Sequence, residues 1–316
     1  MSNEQTKPAV CIVGHGSRDP DGVREFERLV NQFRTRDPER IIEFGFLEFA
    51  QPPIQDGLER CVERGAKQVA VVPGVLMAAG HAKNDIPSVI HKAQQRHPGV
   101  SFHYGRHLHL HHRILELCRK RIEEAEARAN GGVDRSDTLL LVVGRGSSDP
   151  DPNSDIQKLS RMLWDGMGFG WAETCFLSVS KPLLNEALPC VHRLGFRRVV
   201  VFPFLLFTGI LEKRIRQQTH DFTTENPETE YLVAPYLNAD DLLCDVFIER
   251  ADEAINGSPN MNCQHCKYRI QLVGFESDLG APQGGHHHHH AERAGQDHYH
   301  PGHHYGHHHS HAHDSE

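Results

Sequence analysis

An α/β fold of two duplicated domains, each a parallel sheet with helices on both faces, is predicted by three observations on this 316-residue chain. Short apolar runs alternate with segments whose apolar residues recur at helical spacing, the pattern of a parallel sheet covered by helices. The stretch Val13-Gly14-His15-Gly16-Ser17-Arg18-Asp19-Pro20-Asp21 returns 130 positions later as Val143-Gly144-Arg145-Gly146-Ser147-Ser148-Asp149-Pro150-Asp151. The same offset pairs Phe46-Leu47 with Phe176-Leu177, Gly65 with Gly195, Pro73 with Pro203 and Lys83 with Lys213. It then slips by one, matching Leu108 to Leu237 and Arg121 to Arg250.

The elements follow in order. Residues 9–14 form an apolar run, read as a buried parallel strand. A glycine-rich loop leads to a helix on which Val23, Phe26, Leu29, Val30 and Phe33 share one face. Residues 41–49 read as the second strand, ended by Pro52-Pro53. Ile54, Leu58, Cys61 and Val62 mark the next helix, which Gly65 closes. Gln68 to Val72 is the third strand, followed by a long loop and a helix from about Asp85. Residues 100–104 supply a fourth strand and 110–129 a long helix. The second copy repeats the pattern, with strands at 138–144, 173–179, 198–202 and 230–234. Residues 1–130 are thus a first domain and 134–257 a second, joined by a small polar linker, and each is long enough to bury a core of its own. Residues 258–316 form a tail, unstructured from Gly280 onward by composition.

Composition excludes several classes. A net charge of −8 argues against a general nucleic-acid binder. No apolar run approaches the roughly 20 residues that span a bilayer, and the first residues lack a secretory pattern, so a cytoplasmic enzyme is expected.

The two copies disagree where chemistry would sit. His15 faces Arg145, Glu48 faces Ser178 and His81 faces Leu211. In open parallel sheets ligands bind beyond the carboxyl ends of the strands, and these three residues follow successive strand ends of the first copy. Two imidazoles and a carboxylate suit a divalent first-row metal with open positions. One working site is therefore expected in the first domain, with Arg145 dispensable for metal chemistry. Gly14-His15-Gly16-Ser17 could instead cradle an anion, although it fits neither common nucleotide motif, and Ser17 could simply cap the next helix. Asp85 could orient His81 or serve as a helix N-cap.

Gly14-His15-Gly16-Ser17-Arg18-Asp19, Phe46-Leu47-Glu48 and Gly80-His81-Ala82-Lys83-Asn84-Asp85-Ile86-Pro87 resemble motifs of the sirohydrochlorin chelatases of the class II chelatase group. The resemblance covers about residues 9–275, and the duplicated body with a tail looks like the long CbiX-type cobaltochelatases. It implies two α/β domains facing across a cleft and insertion of Co2+ into sirohydrochlorin for cobalamin biosynthesis. Fe2+ insertion for sirohaem is the alternative. It also implies His15 and His81 as catalytic histidines with Glu48 as their acidic partner. Arg18, Lys83 and Arg106 are candidate partners for the substrate's carboxylates.

Two features remain. Cys263 and Cys266, in Met-Asn-Cys-Gln-His-Cys, resemble a segment that the long chelatases associate with an iron–sulfur cluster. Two thiolates per chain cannot complete a 4Fe-4S site, so the resemblance implies a cluster shared across a homodimer; zinc or a disulfide are the competing readings. Residues 286–313 of the tail carry 14 of the 26 histidines, including His286, His287, His288, His289, His290, His307, His308 and His309. Its interruptions, such as Tyr299 and Pro301-Gly302, argue against a purification tag and for a metal reservoir. From that tail comes the rival function, a nickel or cobalt store or metallochaperone. The nearer cluster His103, His107, His109, His111 and His112 reads as a solvated surface.

Overall fold

The computed structural model describes residues 8–129, 131–261 and 265–280. Strand β1 (Ala9–Gly14) is buried along its whole length. Helix α1 (Pro20–Arg36) begins where Asp19 accepts a hydrogen bond from the Asp21 amide, with proline at the first helical position. Ser17 instead accepts from the Asp19 amide. Strand β2 (Ile42–Phe46) stops short of the expected residue 49. There Phe49 takes a φ of 60° and the Ala50 amide turns back to the Glu48 carbonyl at 2.7 Å.

Helix α2 (Ile54–Glu63) and strand β3 (Gln68–Pro73) follow, then a single π-helical turn, His81–Asp85, that runs into α3 (Ile86–Arg96). Strand β4 (Ser101–Tyr104) and helix α4 (His112–Glu126) complete the first repeat. The second contains β5 (Thr138–Gly144), α5 (Pro150–Met167), β6 (Trp171–Phe176), α6 (Leu184–His192), β7 (Arg198–Pro203), α7 (Ile210–Glu225), β8 (Glu230–Val233) and α8 (Asp241–Asn256). β6 lies two residues earlier than expected and ends before Val179, whose φ of 65° repeats the kink at Phe49.

The sheets run β2-β1-β3-β4 and β6-β5-β7-β8, parallel throughout. α2 and α3 cover one face of the first sheet, and α6 and α7 cover one face of the second. The other two faces are not closed independently. α8 packs on β3 and β4 of the first sheet, while α4 packs on β7 and β8 of the second. The repeats exchange their last helices.

The core they enclose is continuous, running from Val10, Ile12 and Phe33 to Leu140, Val200 and Phe247. A separate core per repeat, as the lengths suggested, is therefore replaced by one shared core and two outer ones. Reciprocal polar ties hold the exchange. Arg121 donates to the Leu237 carbonyl at 2.6 Å, and Arg250 donates to the Leu108 carbonyl at 2.9 Å. No described helix is long and apolar enough to cross a membrane.

Candidate active site

β2 and β3 flank β1 on opposite sides, so the chain crosses back past β1 on its way from β2 to β3, and this switch opens a crevice at the carboxyl ends of the strands. His15 follows β1 directly, Glu48 sits in the bend after β2, and His81 opens the π-helical turn after β3. One ligand atom from each, two imidazole nitrogens and a carboxylate oxygen, all lie within 4.8 Å of one another. The two rings meet edge to face with centroids 5.0 Å apart.

Gly16 makes this convergence sterically feasible. Its φ is +90°, and a Cβ there would sit 1.7 Å from the Glu48 carbonyl oxygen. The bend and the loop are stitched directly, since the Glu48 amide donates to the His15 carbonyl at 2.9 Å.

Each histidine has one nitrogen committed. His15 Nδ1 lies 3.1 Å from the Gly16 carbonyl, which assigns the proton to Nδ1. That leaves Nε2, a buried atom with no hydrogen-bond partner, as the free lone pair. Burial foremost, then the charge of Arg145 and then His81, pushes His15 down to about 3. The ring is thus a neutral donor at any pH near 7. His81 Nδ1 contacts Asp85 Oδ2 at 2.7 Å, while Asp85 makes no side-chain cap bond. Of its two readings, Asp85 therefore takes the orienting one. The π-helical turn puts the pair on one face, and such turns recur at functional sites.

Two residues near the cluster escaped the sequence reading. Phe49, held at positive φ beside Glu48, places its ring 6.1 Å from that of His15, and the Arg18 guanidinium stacks over it at 4.8 Å. Nothing in the sequence marked it beyond its adjacency to Glu48. Arg145, from the second repeat, acts on both His15 and Glu48, although it is itself exposed to solvent. The replacement of His15 by arginine was visible at the repeat offset. That the arginine faces His15 across the cleft was not.

Other expected residues lie elsewhere. Lys83 is not open to a substrate carboxylate: its side chain is 1% exposed, and Nζ holds Asp149 at 2.7 Å and Asp151 at 2.9 Å. It ties the first repeat to the second. Arg106 faces Glu253 of α8 at 3.6 Å. His107 is not on a solvated surface; it is 2% exposed. Cys266 is a buried thiol at 1% exposure, while Cys263 and the histidines from 286 onward fall outside the described residues.

A family profile named CbiX matches residues 9–125 and again 139–254. The chain is 37% identical over 265 residues to a sirohydrochlorin cobaltochelatase of Priestia megaterium, covering 84% of this chain and 86% of that protein. It is 34% identical to a sirohydrochlorin ferrochelatase of the same organism, covering 80% and 92%. Among solved structures, SirB from Bacillus subtilis with Fe3+ superposes with a TM-score of 0.70 at 29% identity, covering 79% of this chain and 96% of that one. A sirohydrochlorin chelatase SirB from Bacillus subtilis subspecies spizizenii, in complex with cobalt, gives 0.66 at 28%, with the same coverage.

Proposed function

Since the chain belongs to the CbiX family of sirohydrochlorin chelatases, we propose that it inserts a divalent metal, Co2+ in preference to Fe2+, into sirohydrochlorin at His15, Glu48 and His81. The observation that carries the assignment is the convergence of these three ligand atoms at the crevice. Cobalt is favoured by the higher identity and longer match to the cobaltochelatase.

The reaction exchanges two pyrrole N–H protons for one dication, so the site must hold the ion loosely and accept protons. His15 supplies a neutral nitrogen, because its environment resists protonation. Proton acceptance falls to Glu48 and to His81, whose ring the Asp85 carboxylate orients. Phe49 with Arg18 over its ring offers a flat wall and a cation to a macrocycle bearing carboxylates. Arg145 offers a second cation from across the cleft.

The test is anaerobic incubation of the purified protein with sirohydrochlorin and Co2+ while the tetrapyrrole absorbance is followed. Conversion well above the spontaneous rate is expected. A rate no faster than the spontaneous one, with Co2+ and with Fe2+, would reject the proposal. In the same assay Asp85→Asn should raise the Co2+ concentration for half-maximal turnover by about 10–100-fold, the usual effect of losing a carboxylate behind a ligating histidine. An unchanged metal dependence would show that Asp85 does not orient the ring.

A cluster on Cys263 and Cys266, and the homodimer it requires, form the finer part of the proposal. The Cys-x-x-Cys spacing and the buried Cys266 thiol support it.

A further inference from the structure

A second group of ligand types, sharing no residue with the first, lies where the repeats meet. His107 and His109 belong to the loop between β4 and α4 of the first repeat, and Asp155 to α5 of the second. One imidazole nitrogen from each histidine and one carboxylate oxygen lie within 4.8 Å of one another. The two rings stand edge to face with centroids 5.0 Å apart, and His109 Nε2 faces Asp155 Oδ1 at 3.4 Å.

His107 is the telling member. Its side chain is 2% exposed, and neither ring nitrogen has a hydrogen-bond partner. Buried polar atoms are nearly always paired, because an unpaired one forfeits its hydration without return.

The duplication provides an internal control. The offset of 129 that governs this stretch sets Tyr236 at the place of His107 and Asn238 at that of His109; the offset of 130 sets Glu25 at the place of Asp155. At that counterpart, Tyr236 donates to Glu25 Oε1 at 2.7 Å and the Thr208 amide donates to Oε2 at 2.8 Å. The carboxylate there is satisfied by protein alone. Asn238 and His109 share a φ of 58°, so the backbone turn is common to both repeats and only the side chains differ. One of the two equivalent junctions has thus acquired two imidazoles, and one of those is left without a partner.

We infer that His107, His109 and Asp155 form a second metal site, taking a divalent first-row cation that clamps the first repeat to α5 of the second. Two nitrogens and one oxygen suit such an ion. Ligand atoms around a tetrahedral ion stand roughly 3.4 Å apart, given metal–ligand distances of about 2.1 Å. Small side-chain rotations would close the group to that spacing.

The test uses the full chain and Co2+ alone, with readouts that locate the ion, because the tail histidines would obscure a simple count. Crystals soaked in Co2+ should show an anomalous peak among His107, His109 and Asp155. The peak should vanish in His107→Gln while any peak at His15, Glu48 and His81 persists. In solution, Co2+ at about a hundredfold above Kd should raise the melting temperature of the wild type by roughly 5 °C more than that of Asp155→Asn. Asp155→Asn keeps the side-chain volume and serves if His107→Gln does not fold. No peak at this cluster in the wild type at saturating Co2+, or equal shifts for wild type and Asp155→Asn, overturns the inference. Turnover of sirohydrochlorin is a separate measurement, so the failure of either assignment is recognised independently.

Discussion

His81→Ala should slow metal insertion by about 10²–10⁴-fold, and His15→Ala by a similar factor, with both proteins remaining folded. In the proposed reaction His81 supplies a nitrogen to the three-ligand cluster and accepts a departing pyrrole proton. Removing it deletes two functions at once. Stability should change little for His81, whose side chain is 20% exposed and whose recorded ion-pair partner is four residues away on the same turn. For His15 the loss should show mainly in metal binding, because its ring is held as a neutral donor. Spectral conversion by each variant, beside a thermal melt of each, is the measurement. A His81→Ala protein with wild-type turnover would remove His81 from the mechanism.

Lys83→Met should cost about 3–5 kcal/mol of folding stability, the usual result of removing one partner from a buried ion pair. Nζ holds both Asp149 and Asp151, each side chain 6% exposed, so methionine takes the buried cation away from two carboxylates at the junction of the repeats. The pseudo-equivalent Lys213 holds Asp19 across the opposite junction, but its own side chain is 57% exposed. Lys213→Met should therefore have far less effect, since an ammonium that stands largely in water forms a screened, weak pair. Urea titrations of the two variants decide the matter. Equal midpoints would show that burial does not set the strength of these ties.

Much of this molecule was legible because parallel strands carry nearly unbroken apolar runs. Ala9–Gly14 and Thr138–Gly144 could be read as strands, and every residue of both is buried. His15, Glu48 and His81 could be gathered from distant positions because the ends of adjacent parallel strands share one rim. The helix exchange was hidden. The apolar face of α4, with Ile114, Leu117, Cys118 and Ile122, shows that the helix is buried but not which sheet it covers. The burial of His107 was hidden too. The alternation of histidines from 103 to 109 suggests an exposed face, yet the Arg250 side chain crosses over and donates to the His107 and Leu108 carbonyls.

The exchanged helices govern how the chain matures. On a ribosome, the first sheet emerges with α1, α2 and α3, but its remaining cover, α8, is encoded only at residues 241–256. Until then the nascent first half carries an uncovered apolar surface, the kind of exposure that invites aggregation. It also holds α4, a helix whose seat on β7 and β8 has not yet been translated. The half bearing His15, Glu48 and His81 is thus made first and completed last.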